Sequence, residues 1–353
     1  MTRSPRLLPL LLTAAFLSTV LAPALMARKT ADVGERAAEQ ARDFAESLSS
    51  EQRSDVVMAF ETDKRLAWHF IPMDDRKGVP LGELSDTSKQ SLQQIGRTLL
   101  SDDGFRKVEG AMMLEALVAT LEGDDRRWPR DPELYYVTLF GDPAMFGQDG
   151  HRWGFSFEGH HVSLNFTFLG REVIDSTPQF LGAHPAKVMG ENSLGLPVGY
   201  QLLGKEESLA FDLLASLDDK QRALAVIAAE APKEVLTAGK PSPLEGQAAG
   251  LPAGQMDEDQ KQTLRDLIAL YTAVVADPLA SDRLADAEEA GMDGIHFAWA
   301  GGDKPGQPHY YRIEGPTFEI ELANTQPDAE GNPANHSHAM YRDNRGDFGL
   351  DVK

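Results

Sequence analysis

Apolar residues recur at helical spacing near the start of the chain and alternate with polar residues further on. The helical pattern covers residues 32–48, with Val33, Ala37, Ala41 and Phe44 on one face. Further helices are predicted over residues 49–60, 87–100, 105–121, 206–236 (with a break near Asp218) and 257–275. Alternation typical of strands covers residues 134–140, 153–159, 160–168, 295–301 and much of 309–349. This order favours an α+β fold with a mainly antiparallel sheet, helices packed on one side, and a single large domain.

Two of the predicted helix starts resemble each other. Ser49 and Asp218 each precede a glutamine by three residues, and each follows a leucine. This spacing forms a capping box, in which the cap and the glutamine satisfy free N–H groups reciprocally. Because that arrangement is generic, we interpret the likeness as shared capping, although an internal duplication would produce it as well.

The run from His160 to Phe168 has two different faces if it is extended. Val162, Leu164, Phe166 and Phe168 share one face with His160. The opposite face carries His161, Ser163, Asn165 and Thr167. An all-polar face is typical either of solvent exposure or of a cavity wall.

A polar stretch near the C-terminus offers the strongest chemical signal. In a strand, His336 and His338 point the same way, so both imidazoles can reach one ion. His161 is the predicted third ligand, and His309 or Glu319 could complete the set. Three histidines with a carboxylate or water suit a site for zinc, manganese, iron or copper with an open position. The alternative is that these histidines bond to backbone carbonyls or stack on tyrosines.

Charged residues nearby are candidates for catalytic roles. Glu158 or Asp343 could serve as general base, and Arg312 or Arg342 could hold a substrate carboxylate. Structural pairing of the two arginines with neighbouring acids is the competing interpretation. The sequence has no nucleophile elbow, P-loop or dinucleotide-binding glycine motif that would indicate another chemistry.

Composition restricts where the protein works and what it binds. Residues 1–24, with Arg3 and Arg6 before an apolar run, predict a signal peptide and hence a secreted or periplasmic protein. A retained N-terminal anchor is the alternative. The predicted mature domain spans residues 28–353.

A net charge of −21 argues against nucleic-acid binding, and no second apolar run predicts membrane contact after signal cleavage. With no cysteine, thiolate ligands and disulfides are excluded.

Several motifs occur together in the strand-like segments. They are Trp153-Gly-Phe-Ser-Phe-Glu158-Gly-His-His-Val-Ser-Leu-Asn165, Pro178-Gln-Phe-Leu-Gly182, His309-Tyr-Tyr-Arg-Ile-Glu-Gly-Pro-Thr-Phe, Asn324-Thr-Gln326, Ala334-Asn-His336-Ser-His338, Arg342-Asp343 and Asp347-Phe-Gly349. In this combination the chain resembles the secreted family catalogued as domain of unknown function 3500, from about Arg36 to its end. The resemblance implies an exported single-domain protein of uncharacterised activity, and it carries over no established catalytic residues.

Two hypotheses follow from these observations. The first is a metal-dependent enzyme, hydrolytic or oxidative, with a histidine-rich pocket on the sheet. The second is a non-catalytic structural or binding protein whose aromatic surface takes a sugar, a peptide or another small molecule. Its surface would consist of Trp153, Trp299, Tyr310 and Tyr311. Neither hypothesis sets a substrate or an oligomeric state.

Overall fold

The computed structural model describes residues 15–350 except 241 and 245, and the side chains of 15–29 and Asp125 are outside the description. The predicted signal peptide therefore lies outside the residues whose side chains are described, and its cleavage stays a prediction. Among the described residues, no helix has both the length and the apolar run that are needed to cross a bilayer.

The helices begin where capping residues are available. Ser49 and Asp218 each form the predicted capping box with a glutamine three residues on, and Asp257 forms a third. The predicted break at Asp218 is therefore confirmed, because its side chain caps a new helix. The helices of the described chain are α1 (Ala15–Ser47), α2 (Ser50–Val56), α3 (Asp86–Leu99), α4 (Asp102–Glu122), α5 (Gly204–Ser216), α6 (Asp219–Ala225), α7 (Glu258–Thr272) and α8 (Asp277–Ala290).

The strands form one sheet in the order β1-β3-β4-β5-β7-β13-β12-β11-β10-β8, with β2, β6 and β9 attached beside β3, β5 and β10. Their bounds are β1 (Val57–Met58), β2 (Val79–Pro80), β3 (Tyr136–Phe140), β4 (Arg152–Gly159), β5 (Val162–Leu169), β6 (Glu172–Asp175), β7 (Gln179–Ala183), β8 (Val226–Ala228), β9 (Leu251–Pro252), β10 (His296–Gly301), β11 (His309–Glu314), β12 (Phe318–Gln326) and β13 (His336–Asp343).

The expected single α+β domain is present, but the sheet is mixed rather than mainly antiparallel. Both ends of the strand order are parallel pairs, β1 with β3 and β8 with β10. Each end strand is a two- or three-residue continuation of a short helix, α2 or α6, and helix-to-strand connections of this kind allow parallel pairing. The sequence pattern did not indicate these end strands because they are too short to alternate.

The two faces of the sheet are covered differently. Val162, Leu164 and Phe166 of β5 pack into the main core together with apolar residues of the helices, as their alternation predicted. The opposite, polar face is covered by connecting segments, from which Trp68, Phe70 and Val235 form a second, smaller core with Phe180 and other sheet residues. A polar strand face buried under loops is a place where a site can form without interrupting the main core.

The chain is built from two halves with the same order of elements. The first half runs from α1 to β7 and the second from α5 to β13. α2 and β1 correspond to α6 and β8, β2 and α3 to β9 and α7, α4 to α8, and β3, β4, β5 and β7 to β10, β11, β12 and β13. β6 has no strand counterpart in the described second half. The strand order reads the same from either end, with β7 and β13 adjacent at its centre.

The pairing register supports this correspondence residue by residue. Val79 lies opposite Val137 in the first half, and Leu251 lies opposite Phe297 in the second. Two positions further along the same strands, Val57 is paired with Leu139 and Val226 with Trp299. The shared spacing shows that the halves repeat in detail, so the two similar capping boxes mark an internal duplication rather than generic capping alone.

A pseudo-twofold axis relates the halves at the centre of the sheet. Gln179 of β7 lies opposite Tyr341 of β13. Within the first half, Gln179 also lies opposite Leu164, and within the second half, Tyr341 also lies opposite Ile320. Leu164 and Ile320 are equivalent positions of the two halves. The axis therefore passes through the Gln179/Tyr341 pair and relates β3, β4, β5 and β7 to β10, β11, β12 and β13.

Gly78 and Gly250 are equivalent glycines that the duplicated backbone requires. Their φ angles are +87° and +100°, and a Cβ would lie 2.1 Å from the Val137 carbonyl oxygen and 2.2 Å from that of Phe297. We expect Gly78→Ala and Gly250→Ala each to lower the free energy of unfolding by well over about 1 kcal/mol in chemical denaturation. Gly306→Ala is the matched control, because φ is +83° there but no atom lies within 4 Å. Equal losses in all three variants would contradict the steric argument.

Candidate metal centre

His336 and His338 lie at the start of β13 and project from the same face of the sheet. Their Nε2 atoms are 3.1 Å apart. The two residues are separated by one position in a strand, so this arrangement follows from the alternation of side chains. The predicted common direction of the two imidazoles is confirmed.

His161 brings a third imidazole to the same point. Its Nε2 lies 2.8 Å from that of His336 and 3.2 Å from that of His338. His161 is not in a strand, however, as β5 begins at Val162, and His160 and His161 form the two-residue turn between β4 and β5. The expectation of a strand from His160 is corrected accordingly, although the polar face from Ser163 onward is as predicted.

The backbone holds His161 in an unfavourable conformation. Its φ is +67°, and residues other than glycine adopt this left-handed backbone conformation at a cost of about 1 kcal/mol or more. The peptide N–H of His161 donates to the Phe70 carbonyl, and its carbonyl accepts from Gly182, at 2.9 and 2.8 Å. Gly182 also leaves room for the ring, because a Cβ there would lie 2.7 Å from His161 Cδ2. A residue that is held in a strained backbone conformation by several such contacts indicates a functional constraint.

The three Nε2 atoms have the spacing of ligands around one ion. With metal–nitrogen distances of about 2.0–2.1 Å, separations of 2.8–3.2 Å correspond to angles of roughly 85–105°. Three ligands at such angles occupy one side of a coordination sphere and leave the other side open. Burial and the neighbouring imidazoles lower the pKa of His161 and His336 well below the ordinary value, so both rings favour the neutral form that binds metals.

Glu234 orients one of these rings. Its carboxylate oxygens lie 2.7 and 2.8 Å from Nδ1 of His338. A carboxylate at Nδ1 favours a proton there and leaves the lone pair of Nε2 directed at the other two rings. Glu234 lies on the connection between β8 and β9, and sequence reasoning missed it because no spacing relates it to the histidines.

His160 adjoins the three-histidine group. Its ring stacks on His161 with centroids 3.7 Å apart, and His160, His161 and His336 each offer a ligand nitrogen within 4.8 Å of the others. Nδ1 of His160 lies 2.5 Å from Glu115, a residue that also pairs with Arg130. His160 was predicted to share the apolar face of β5, but its place in the turn puts it beside the cluster instead.

His184 is a fifth histidine here, and it has no hydrogen-bond partner within the described chain. Only 6 % of it is exposed, and neither ring nitrogen is satisfied. Its ring lies parallel to that of His336, with centroids 4.2 Å apart. Burial and nearby His160 lower the pKa of His184 to about 4, so the ring is neutral near pH 7. A buried imidazole with two unsatisfied nitrogens requires a water or a ligand group.

The other two predicted ligands lie elsewhere. His309 is fully buried, with Nε2 3.2 Å from Glu207 and its ring stacked on Trp299. Glu319 lies opposite Arg342, four residues along β13 from His338 and hence about 13 Å away. Its carboxylate accepts from the Leu244 N–H at 3.0 Å. The structure brings together His161, His336 and His338 but not these two residues.

The predicted catalytic charges are engaged in pairs. Glu158 is held by Lys77 at 2.7 Å, with Arg76 and the Ser163 hydroxyl also in contact. The remaining three pairs are Asp343 with Arg345, Arg312 with Glu314, and Arg342 with Asp347. For Arg312 and Arg342 these contacts match the competing interpretation of structural pairing.

The aromatic surface of the second hypothesis does not exist in this fold. Its four proposed members are at most 1 % exposed, namely Trp153, Trp299, Tyr310 and Tyr311. Trp153 and Tyr311 pack into the main core against the helices, and Tyr310 belongs to the smaller core under the loops. The prediction was wrong because alternation alone does not show which sheet faces are covered.

The comparison with protein families agrees with the motifs. The family model described as protein of unknown function (DUF3500) matches residues 30–350. The chain belongs to the DUF3500 family. No curated protein and no solved structure matches it. The residues matched by the DUF3500 model include the three-histidine cluster, Glu234 and both halves of the sheet.

A pH experiment can distinguish the role of Glu319 from that of the metal-cluster residues. Burial and the neighbouring Glu321 raise the pKa of Glu319 from 4.5 to about 7. The unfolded chain therefore releases this proton at lower pH than the folded protein, and the contribution of Glu319 to stability falls as pH rises from about 4.5 to 7. We expect Glu319→Gln to flatten the pH dependence of the unfolding free energy in that window and to leave metal content unchanged. Loss of bound metal in this variant would place Glu319 in the site after all.

Proposed function

We propose that this DUF3500 protein is an exported metal-dependent enzyme of hydrolytic type. Its ion would be held by His161, His336 and His338, with zinc as the best match for three neutral imidazoles. The observation that carries the proposal is the convergence of three Nε2 atoms within 3.2 Å of one another. Export is supported by the apolar run that follows Arg3 and Arg6.

The lone pairs of the three rings explain why a cation fits this point. A neutral imidazole has one N–H donor and one acceptor, so three Nε2 atoms facing one another cannot all be satisfied by mutual hydrogen bonds. With Nδ1 of His338 directed at Glu234, the Nε2 of that ring is an acceptor. A divalent cation satisfies all three acceptors at once and, when bound, lowers the pKa of a water or polarises a substrate oxygen.

The remaining residues of the cluster have distinct proposed roles. Glu234 positions His338, and Phe70 packs edge-on against the same ring with centroids 4.9 Å apart. His160, backed by Glu115, and the unpartnered His184 flank the ligands and would exchange a proton with, or hydrogen-bond to, the reacting group. Glu158 is assigned a structural role, since it is paired with Lys77 and Arg76.

Metal content of ligand variants tests the site directly. We expect protein purified without a histidine tag and equilibrated with zinc to hold about one ion per chain by elemental analysis. His336→Ala and His338→Ala should each lose most of it, because two imidazoles bind far more weakly than three. His151→Ala, at an exposed histidine, is the control and should retain the metal. Variants that bind as much zinc as the unaltered protein would refute the proposal.

Glu234 tests the orientation of the ligands without removing one. We expect Glu234→Gln to weaken zinc affinity by roughly 10- to 100-fold in a competition titration with a chelating dye, because Nδ1 of His338 loses its charged partner. Glu230→Gln changes an exposed acid on the same connection and serves as the control. If both variants bind zinc alike, Glu234 has no part in the site.

A further inference from the structure

The pseudo-twofold axis gives the metal centre an equivalent position in the other half of the fold. The Gly182 N–H donates to the His161 carbonyl at 2.8 Å, and the Asn344 N–H donates to the Thr317 carbonyl at 3.1 Å. Thr317 therefore occupies the place of His161, and Asn344 that of Gly182. His338 lies three residues before Tyr341, so its equivalent lies three residues before Gln179, at Ser176. None of the three metal ligands has a histidine as its equivalent.

A cavity of about 560 Å³ lies at this equivalent position. It is bordered by Ser176 and Thr317, by the first and middle turns of α8 and by the turn after β13. The volume is within the range of sites that take small molecules. The backbone positions that carry the imidazoles in one half therefore border an open cavity in the other.

Arg283 of α8 brings a positive charge to this cavity without a carboxylate partner. Its guanidinium donates to Gln179 Oε1 at 3.0 Å and to Ser176 Oγ at 2.7 Å, and it lies over the Tyr341 ring at 4.4 Å. Within the described chain no acidic oxygen lies within 4 Å of it. Burial and Asp347 raise the pKa of nearby Asp175 to about 8, so that carboxyl group is largely neutral at pH 7. Asp343, another acid of the cavity wall, is paired with Arg345, so neither acid forms an ion pair with Arg283.

Asp282 brings a negative charge to the same cavity. It is half-buried and, within the described chain, forms no ion pair, whereas Asp286 one turn later is paired with Arg345 at 2.8 Å. Burial and the charge of Asp286 raise the pKa of Asp282, which indicates a carboxylate short of positive partners. Val173, Ile174 and Leu279 supply an apolar part of the wall.

We propose that this cavity binds a free α-amino acid, with its carboxylate on Arg283, its ammonium group on Asp282 and its side chain on the apolar wall. Charges of opposite sign on adjacent residues, neither of which forms an ion pair within the described chain, match the two groups that an α-amino acid carries on one carbon. The site is separate from the metal centre and does not depend on the function proposed for it.

Calorimetric titration of the full, zinc-loaded chain tests this proposal. The probes are the proteinogenic L-amino acids, led by L-leucine, with isocaproate and isoamylamine as analogues that keep only one of its two charges. We expect saturable binding of at least one apolar amino acid, with single-charge analogues at least about tenfold weaker, or roughly 1.4 kcal/mol. If no amino acid binds, or if the single-charge analogues of the binder bind equally well, the proposal is wrong.

Variants locate the binding. Arg283→Met and Asp282→Asn should each abolish or strongly weaken amino-acid binding while zinc content stays unchanged. Glu288→Gln, at an exposed acid of the same helix, should bind like the unaltered protein. Because Arg283 also holds Gln179 and Ser176, the Asp282 variant guards against a loss caused by misfolding. Undiminished binding in both variants would place the ligand outside this cavity.

Discussion

The pairing of β7 with β13 is the interaction on which the rest of the structure depends. It joins two halves that each carry half of the sheet, and it does so in one register, with Gln179 opposite Tyr341. A slip of one residue would turn every side chain of β13 to the other face. In the observed register, His338 lies opposite Gly182, so the ring of His161 meets His336 and His338.

The duplicated scaffold explains how a single fold offers two different candidate sites. Equivalent positions share backbone geometry, including the positive φ of Gly78 and Gly250 and the paired turn hydrogen bonds of His161 and Thr317. The side chains at these positions differ, so the backbone positions that carry imidazoles in one half border a cavity with Arg283 in the other. The common backbone fixes where a ligand can be held, and the substitutions decide which ligand it is.

Much of this arrangement could be predicted from local spacing. Alternation correctly placed His336 and His338 on one side and gave β5 its apolar face, because a strand has a period of two. The turn at His161 was missed, since a positive φ is uncommon for residues other than glycine and the apolar alternation runs on from His160. Glu234 and His184 could not be found, because their contacts depend on tertiary packing and not on spacing. The duplication was obscured by replaced equivalents such as Trp153 and His309.

The contribution of ligands by both halves has a consequence for the mechanics of the protein. His161 belongs to the first half, and His336, His338 and Glu234 belong to the second. An ion bound by these residues would contact both halves, so its binding energy would oppose the separation of β7 from β13. By linkage, an ion that binds only the closed seam would stabilise that state by RT ln(1 + c/Kd), where c is the concentration of free ion. Under the proposed function, amide exchange at this seam would slow as the concentration of free metal rises.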